Sequence, residues 1–257
     1  MLEFDAIYQW WLGVLLVSCR LGGAFFATPF FTTYPVPRLA KICMLFSLSL
    51  LFSTSMRLGE PLPLMGTGQF LVAGLVETVI GLTLGFGIRG AFFSFELAGR
   101  IIEGQAGLSM AAFLNPASGE RNSILGAAIA AAALTFFMLI DGHHALLRIF
   151  EATFLVAPIG YGWHVDFVKF SGYFAKMYLF GGMLGGPVAL ALWLVDMALA
   201  AMVRSMPQFN ILFLSFPLKL LVTLVVLAML VPHFSFAFIT LLEMLKEYWT
   251  QILIKNG

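Results

Sequence analysis

Charged side chains are scarce in this chain. Its 257 residues hold 14 Lys and Arg against 13 Asp and Glu, so 11% are charged, where a soluble domain spends about 25%. That leaves too little polar material for a water-facing skin. With 61% hydrophobic residues and a mean hydropathy of +0.97, the chain belongs in or against a membrane. The net charge of +1 lacks the basic field of a nucleic-acid binder. Cysteine is also rare: Cys19 and Cys43 offer neither a disulfide framework nor a metal pattern and read as small apolar side chains. Disorder is excluded by 27 Phe and 5 Trp that could not stay hydrated. Met1 to Tyr8 carries Glu3 and Asp5 but no base, so it lacks the positive start of a cleaved signal peptide, and the first apolar run is expected to be retained.

Catalytic motifs are missing as well. His143 and His144 are adjacent, and neither lies in an HExxH motif. Asp141 can cap its segment or contact either histidine, but no Cys/His cluster completes a metal site. Ser109 lacks the GxSxG elbow, and no phosphate-binding glycine motif is present. The expectation is a protein without enzymatic activity, cofactor or metal.

What is present is a series of apolar stretches near 10–31, 42–56, 70–99, 124–140, 177–203 and 211–231. Their apolarity is continuous rather than alternating, which predicts helices. The reading is an all-α membrane protein with about six long segments. The run 42–56 is short, however, and 124–140 reaches crossing length only with its flanks. Pro35 and Pro37 separate the first two segments, and Pro61 and Pro63 the next two. Region 141–172 mixes Asp141, Arg148, Glu151, Asp166 and Lys169 with apolar residues and reads as a connector lying partly outside lipid. From 233 to 254, Phe234, Phe238, Leu241, Leu245, Trp249 and Ile252 recur at helical spacing. This amphipathic helix can dock on its own chain or a neighbour, or lie in the bilayer interface.

Six alternating crossings would place Arg38, Lys41, Arg100, Arg121 and Arg204 on one side, and Arg57, Arg148, Lys169, Lys176, Lys246 and Lys255 on the other. The positive-inside rule then gives no orientation, which argues against simple six-span topology. Several segments carry internal charge: Arg20; Glu77, Arg89 and Glu96; Asp196; Lys219. Such residues face protein or water rather than lipid. Glu96, Arg100 and Glu103 share one helical face and predict a structural ion-pair network, with a proton or substrate pathway as the alternative. Gly81 and Gly85, and Gly181, Gly182, Gly185 and Gly186, let backbones approach. Pro217 predicts a kink before Lys219. In the connector Gly104-Gln-Ala-Gly-Leu-Ser-Met-Ala-Ala-Phe-Leu-Asn-Pro-Ala-Ser-Gly119, the apolar residues read either as a compliant obstruction or as a buried linker.

That connector, the Asp141-Gly142-His143 turn, and Arg204-Ser-Met-Pro-Gln-Phe-Asn210 leading to Ser215-Phe-Pro-Leu218 resemble the flagellar biosynthetic protein FliR family and its virulence-system relatives. Length and segment order extend the resemblance over almost the whole chain. It implies one 257-residue export-gate domain of bent helical hairpins, resembling a fused FliP-like and FliQ-like unit within a helical hetero-oligomer. The function implied is a non-enzymatic core subunit of the flagellar type III protein export gate in the bacterial inner membrane, raised toward the periplasm. Its implied partners are FliP-like, FliQ-like and FlhB-like subunits, membrane lipids and unfolded export substrates, with no nucleic acid. The resemblance also makes 104–122 a plug connector, with Gly107, Met110, Phe113, Leu114, Asn115 and Pro116 closing the lumen. Glu96, Arg100 and Glu103 would support the preceding helix, and Arg204, Pro207, Gln208 and Asn210 would organise subunit packing. The competing functions are a virulence export gate, a small-solute secondary transporter and a membrane scaffold without a conduit.

Overall fold

The computed structural model describes residues 2–29, 36–55, 66–108, 123–160, 166–205, 211–230, 232 and 234–253. Among them regular structure is helical throughout. The helices are α1 (Leu2–Ala27), α2 (Arg38–Ser55), α3 (Thr67–Ala106), α4 (Ile124–Leu139), α5 (Gly142–Val156), α6 (Phe167–Ser205), α7 (Ile211–Leu230) and α8 (Phe234–Leu253). Three regions, Ile7–Ala27, Thr67–Ala106 and Phe167–Ser205, are long and apolar enough to cross a membrane, and the number rises to five if each of two bent pairs counts as one span. The chain is an all-α, membrane-spanning helical protein with bent helix pairs.

Helix lengths depart from regular crossings. α3 has 40 residues and α6 has 39, each about 60 Å of helix at 1.5 Å per residue against roughly 30 Å of hydrocarbon. Helix α6 starts at Phe167, well before the apolar run at 177. Its first turn is capped by Asp166, whose Oδ1 accepts from the N–H groups of Val168 (3.0 Å) and Lys169 (3.2 Å). Tyr173 and Met177 are then buried, in a stretch whose hydropathy Lys169, Ser171 and Lys176 dilute. Similarly, α5 occupies much of the first half of the mixed region 141–172. It buries Leu146, Phe150 and Phe154 at four-residue spacing, while Arg148 and Glu151 stay outside.

The break between α4 and α5 has a local cause. Asp141 adopts φ 56°, a left-handed conformation that Asp tolerates better than most residues. Its carbonyl still accepts from the N–H groups of His144 (3.0 Å) and Ala145 (3.3 Å), so a new helix begins at once. Helices α7 and α8 form the second bent pair.

The chain divides into two compact units, each assembled from separated stretches. One comprises Met1–Gly90, Asp141–Tyr173 and Leu245–Gly257; the other comprises Ala91–Ile140 and Phe174–Met244. In the first unit, α1 buries Val14, Val17, Leu21 and Ala24 along one face. Gly81 and Gly85 bring α3 so close that a Cβ at either would overlap the carbonyl oxygen of Arg20 or Ala24. Tyr173 and Tyr248 stack at 4.0 Å and donate their hydroxyls to the carbonyls of Gly87 (2.8 Å) and Thr83 (3.0 Å).

At the centre of that unit is a buried charge pair. Arg20 and Glu77 expose 0% and 1% of their side chains, and Arg20 Nε lies 2.5 Å from Glu77 Oε2. An isolated pair would be costly there, but nearly every remaining polar atom finds a partner. At the end of helix α5, Arg20 donates to the Ala157 carbonyl (2.8 Å) and to the Thr153 carbonyl (3.2 Å), which also accepts the Ala157 N–H (2.9 Å). The Gly160 N–H donates to Glu77 Oε1 (3.2 Å) from a left-handed conformation, φ 81°, that suits glycine. The guanidinium also lies 4.3 Å from the Phe154 ring centre.

In the second unit, Gly99 of α3 meets Gly126 of α4, and Gly181 and Gly185 of α6 meet Ser94 and Ala98 of α3. A Cβ at Gly182 or Gly186 would touch nothing within 4 Å, so those two take no part in close packing within the chain. Phe92, Phe95, Phe136, Phe137 and Phe238 form an aromatic core.

Removing one partner of the buried pair, by Arg20→Met or Glu77→Gln, is expected to destabilise the protein by about 3–5 kcal/mol. The double variant Arg20→Met/Glu77→Leu should lose less than the sum of the two. Denaturant unfolding in detergent, followed by tryptophan fluorescence, checks both expectations.

Candidate functional site

The connector singled out in the sequence leaves α3 after Ala106. Gly107 terminates the helix: its φ is 75°, and its N–H donates to the Gly104 carbonyl at 3.4 Å. Met110, Phe113, Leu114, Asn115 and Pro116 lie outside the described residues. The chain is described again from Ser123, which caps α4 by accepting the Gly126 N–H at 2.8 Å.

The two ends of the connector are fastened to each other. Glu103, 8% exposed, accepts through Oε2 from the Ser123 hydroxyl at 2.6 Å and from the Leu125 N–H at 2.8 Å. The carboxylate thereby satisfies an orphan donor at the start of α4, where the helix dipole also favours negative charge. One turn earlier the backbones touch: a Cβ on Gly99 would come within 2.5 Å of the Gly126 Cα.

A second anchor reaches the same end of α3. Lys219, in α7, donates to the Gln105 carbonyl at 3.3 Å and pairs with Asp196 of α6 at 2.6 Å. It places a cation beside the carbonyl end of a helix, the favourable sign. The sequence reading noted Asp196 and Lys219 as separate internal charges. Their opposite signs on consecutive segments were the available signal. Ser123 was also missed, although a serine immediately before an apolar run is an N-cap signature.

Glu96 and Arg100 contact each other at 2.5 Å, half to one-third exposed, while Glu103 engages the far end of the connector. Arg204 is exposed near the end of α6. Pro207, Gln208 and Asn210 fall outside the described residues. Pro217 is accommodated within α7, and α6 contains a further proline, Pro187.

One other constellation could hold a metal ion. Asp141, His143 and His144 offer ligand atoms within 4.8 Å of one another. Asp141 and His144 are largely exposed, and their contact is 3.5 Å long. Beside them lies a cavity of about 570 Å³ lined by Asp141, His144, Arg148 and Lys246, where two cations oppose further positive charge.

Long apolar helices with paired internal charges define an all-α integral-membrane protein. Residues 11–245 match the family model described as Bacterial export proteins, family 1. The chain belongs to that family. It is 29% identical over 219 residues to the flagellar biosynthetic protein FliR of Bacillus subtilis, covering 83% of each chain. To FliR of Escherichia coli it is 34% identical over 159 residues, 61% of this chain and 60% of the other. To the Yop proteins translocation protein T of Yersinia pestis it is 29% identical over 150 residues, 56% of each chain. The family role is that of a non-enzymatic membrane subunit of flagellar and type III secretion export gates.

The two carboxylates should rank by burial. Arg100→Glu, which breaks an exposed pair, is expected to change stability by no more than ~0.5 kcal/mol. Glu103→Ala, which removes a charged acceptor, should cost roughly 1.5–3 kcal/mol. Thermal unfolding of both variants in the same detergent makes the comparison.

Proposed function

We propose that the chain forms and closes part of the conduit for unfolded proteins in a flagellar type III export gate. In this reading the gate sits in the bacterial inner membrane, raised toward the periplasm. FliP-like and FliQ-like subunits surround the chain, whose bent helices resemble a fused pair of such units, and an FlhB-like subunit associates with opening and substrate choice. The 104–122 connector is the plug: Met110, Phe113 and Leu114 obstruct the lumen, while Gly107, Asn115 and Pro116 shape the turn. Glu96, Arg100 and Glu103 support the preceding helix. Arg204, Pro207, Gln208 and Asn210 organise packing against neighbouring subunits.

The observation that carries this reading is an uncovered apolar helix. The span window within Phe167–Ser205 is only 17% buried within the chain, and Leu179, Met183, Leu190, Trp193, Leu194 and Met197 are exposed. Such a face needs lipid or companion helices. The family match favours companions, because the relatives are named as export and flagellar biosynthetic proteins. A virulence machine is the second reading, supported by the likeness to the Yop translocation protein.

Two measurements test the proposal. Co-purification should recover the chain with FliP-like and FliQ-like subunits; stable recovery alone, with coupled small-solute uptake, would instead establish a secondary transporter. Deleting 109–114 while assembly is retained should raise ion conductance of the closed gate, and unchanged conductance would remove the plug assignment. Loss of motility on deleting the gene separates the flagellar reading from the virulence one.

A further inference from the structure

We propose that the cavity between α5 and the end of α8 binds the phosphate of an anionic glycerophospholipid. The site is independent of how the conduit is closed.

The cavity lies within the first unit, and two helices build it. His144, Ala145, Arg148 and Ile149 come from α5, with Asp141 at its N-cap, and Lys246 comes from α8. Its walls are fixed from beneath. Leu146, Phe150, Leu245 and Trp249 are buried, and the Phe150 and Trp249 rings lie 6.4 Å apart. That apolar contact holds α5 on α8 and brings Arg148 and Lys246 to one cavity, an arrangement that negative charge stabilises and its absence does not. Among the described residues neither cation makes an ion pair. Asp141 is the one acid among the lining residues described, and its carboxylate faces His144 at 3.5 Å. Two cations against one carboxylate leave a positive excess, which a phosphodiester, with its single negative charge, matches. His144 adds a ring N–H donor on the same helical face as Arg148.

Size and depth select a lipid. At about 570 Å³ the cavity falls within the roughly 300–1,000 Å³ of small-molecule sites, far more than a bare phosphate ion fills. The space beyond the phosphate suits glycerol and headgroup, with Ala145 and Ile149 as apolar wall. The apolar helix α4 ends at Leu139, just before Asp141 in the chain. Asp141, His144, Arg148 and Glu151 are exposed, which hydrocarbon does not tolerate. A helix with one buried apolar face and one charged face lies at the level of the headgroups, where basic pockets between helices take anionic phospholipids.

Asp141 opposes the ligand and so provides a variant of the opposite sign. Its left-handed conformation, φ 56°, is one that Asn also adopts readily. Asp141→Asn therefore removes the charge and keeps the turn.

The test uses the full chain in the complex with which it purifies. It is titrated with phosphatidylglycerol, phosphatidylcholine or inorganic phosphate and read by native mass spectrometry. Phosphatidylglycerol should be retained in preference to phosphatidylcholine. Arg148→Gln and Lys246→Gln should each weaken phosphatidylglycerol binding roughly fivefold, the worth of one basic residue at a lipid surface. Asp141→Asn should strengthen it by a similar factor, a gain that misfolding cannot produce. Equal retention of the two lipids would overturn the inference, as would a phosphatidylglycerol preference that all three substitutions leave unchanged. Displacement of the lipid by inorganic phosphate at equal concentration would refute it in favour of a free-phosphate site. Release of a protein subunit instead of lipid by Arg148→Gln/Lys246→Gln would refute it in favour of an acidic partner surface. None of these outcomes bears on the conduit reading, which co-purification and conductance test separately.

Discussion

The structure of the first unit turns on the contact between Arg20 and Glu77. Two helices distant in sequence bring opposite charges into a region with almost no exposure, where an uncompensated ion is scarcely tolerable. The pair is acceptable because it is not isolated: the guanidinium also closes the carbonyl end of α5, and the carboxylate receives the backbone N–H of Gly160. One ion pair thus fixes three helices and the turn after the third. Gly81 and Gly85 are part of the same arrangement, because only their lack of Cβ lets α3 come within reach of α1. Charge and glycine, unrelated in composition, act here as one device.

The second unit repeats the logic with different parts. Glycines again remove the distance between helices, at Gly99 against Gly126 and at Gly181 and Gly185 against Ser94 and Ala98. A carboxylate again meets backbone donors that a helix terminus leaves open, Glu103 at the start of α4. In each unit, polar side chains serve mainly to finish helix ends, and apolar contact supplies the bulk of the packing. This is the use of charge expected in a chain with so little of it.

Much of this was legible in the sequence. Continuous apolarity gave the helical class, and the recurrence of Phe238, Leu241, Leu245, Trp249 and Ile252 marked a helical face that the fold buries. Internal charges signalled protected faces, but pairing Arg20 with Glu77, or Asp196 with Lys219, required knowing which helices meet. Periodicity says nothing of that. Helix α5 was hidden because Arg148 and Glu151 dilute its hydropathy without disturbing its buried face. The αL conformation of Asp141 was equally out of reach, since Asp at a turn is compatible with several conformations. At the connector, Gly107 takes a left-handed conformation where α3 ends, whereas the part played by Ser123 lay beyond the recognised motif.

The interleaving of the two units also bears on how the chain is made. The first unit includes Leu245–Gly257, and within it the Tyr248 hydroxyl occupies the carbonyl of Thr83 while Tyr248 and Trp249 lie against Gly87. These contacts join stretches far apart in the chain, Tyr248 and Thr83 being 165 residues from one another. A nascent chain therefore holds α3 without this covering until α8 has emerged from the ribosome. During that interval this face of α3 depends on lipid, insertion factors or chaperones for shelter.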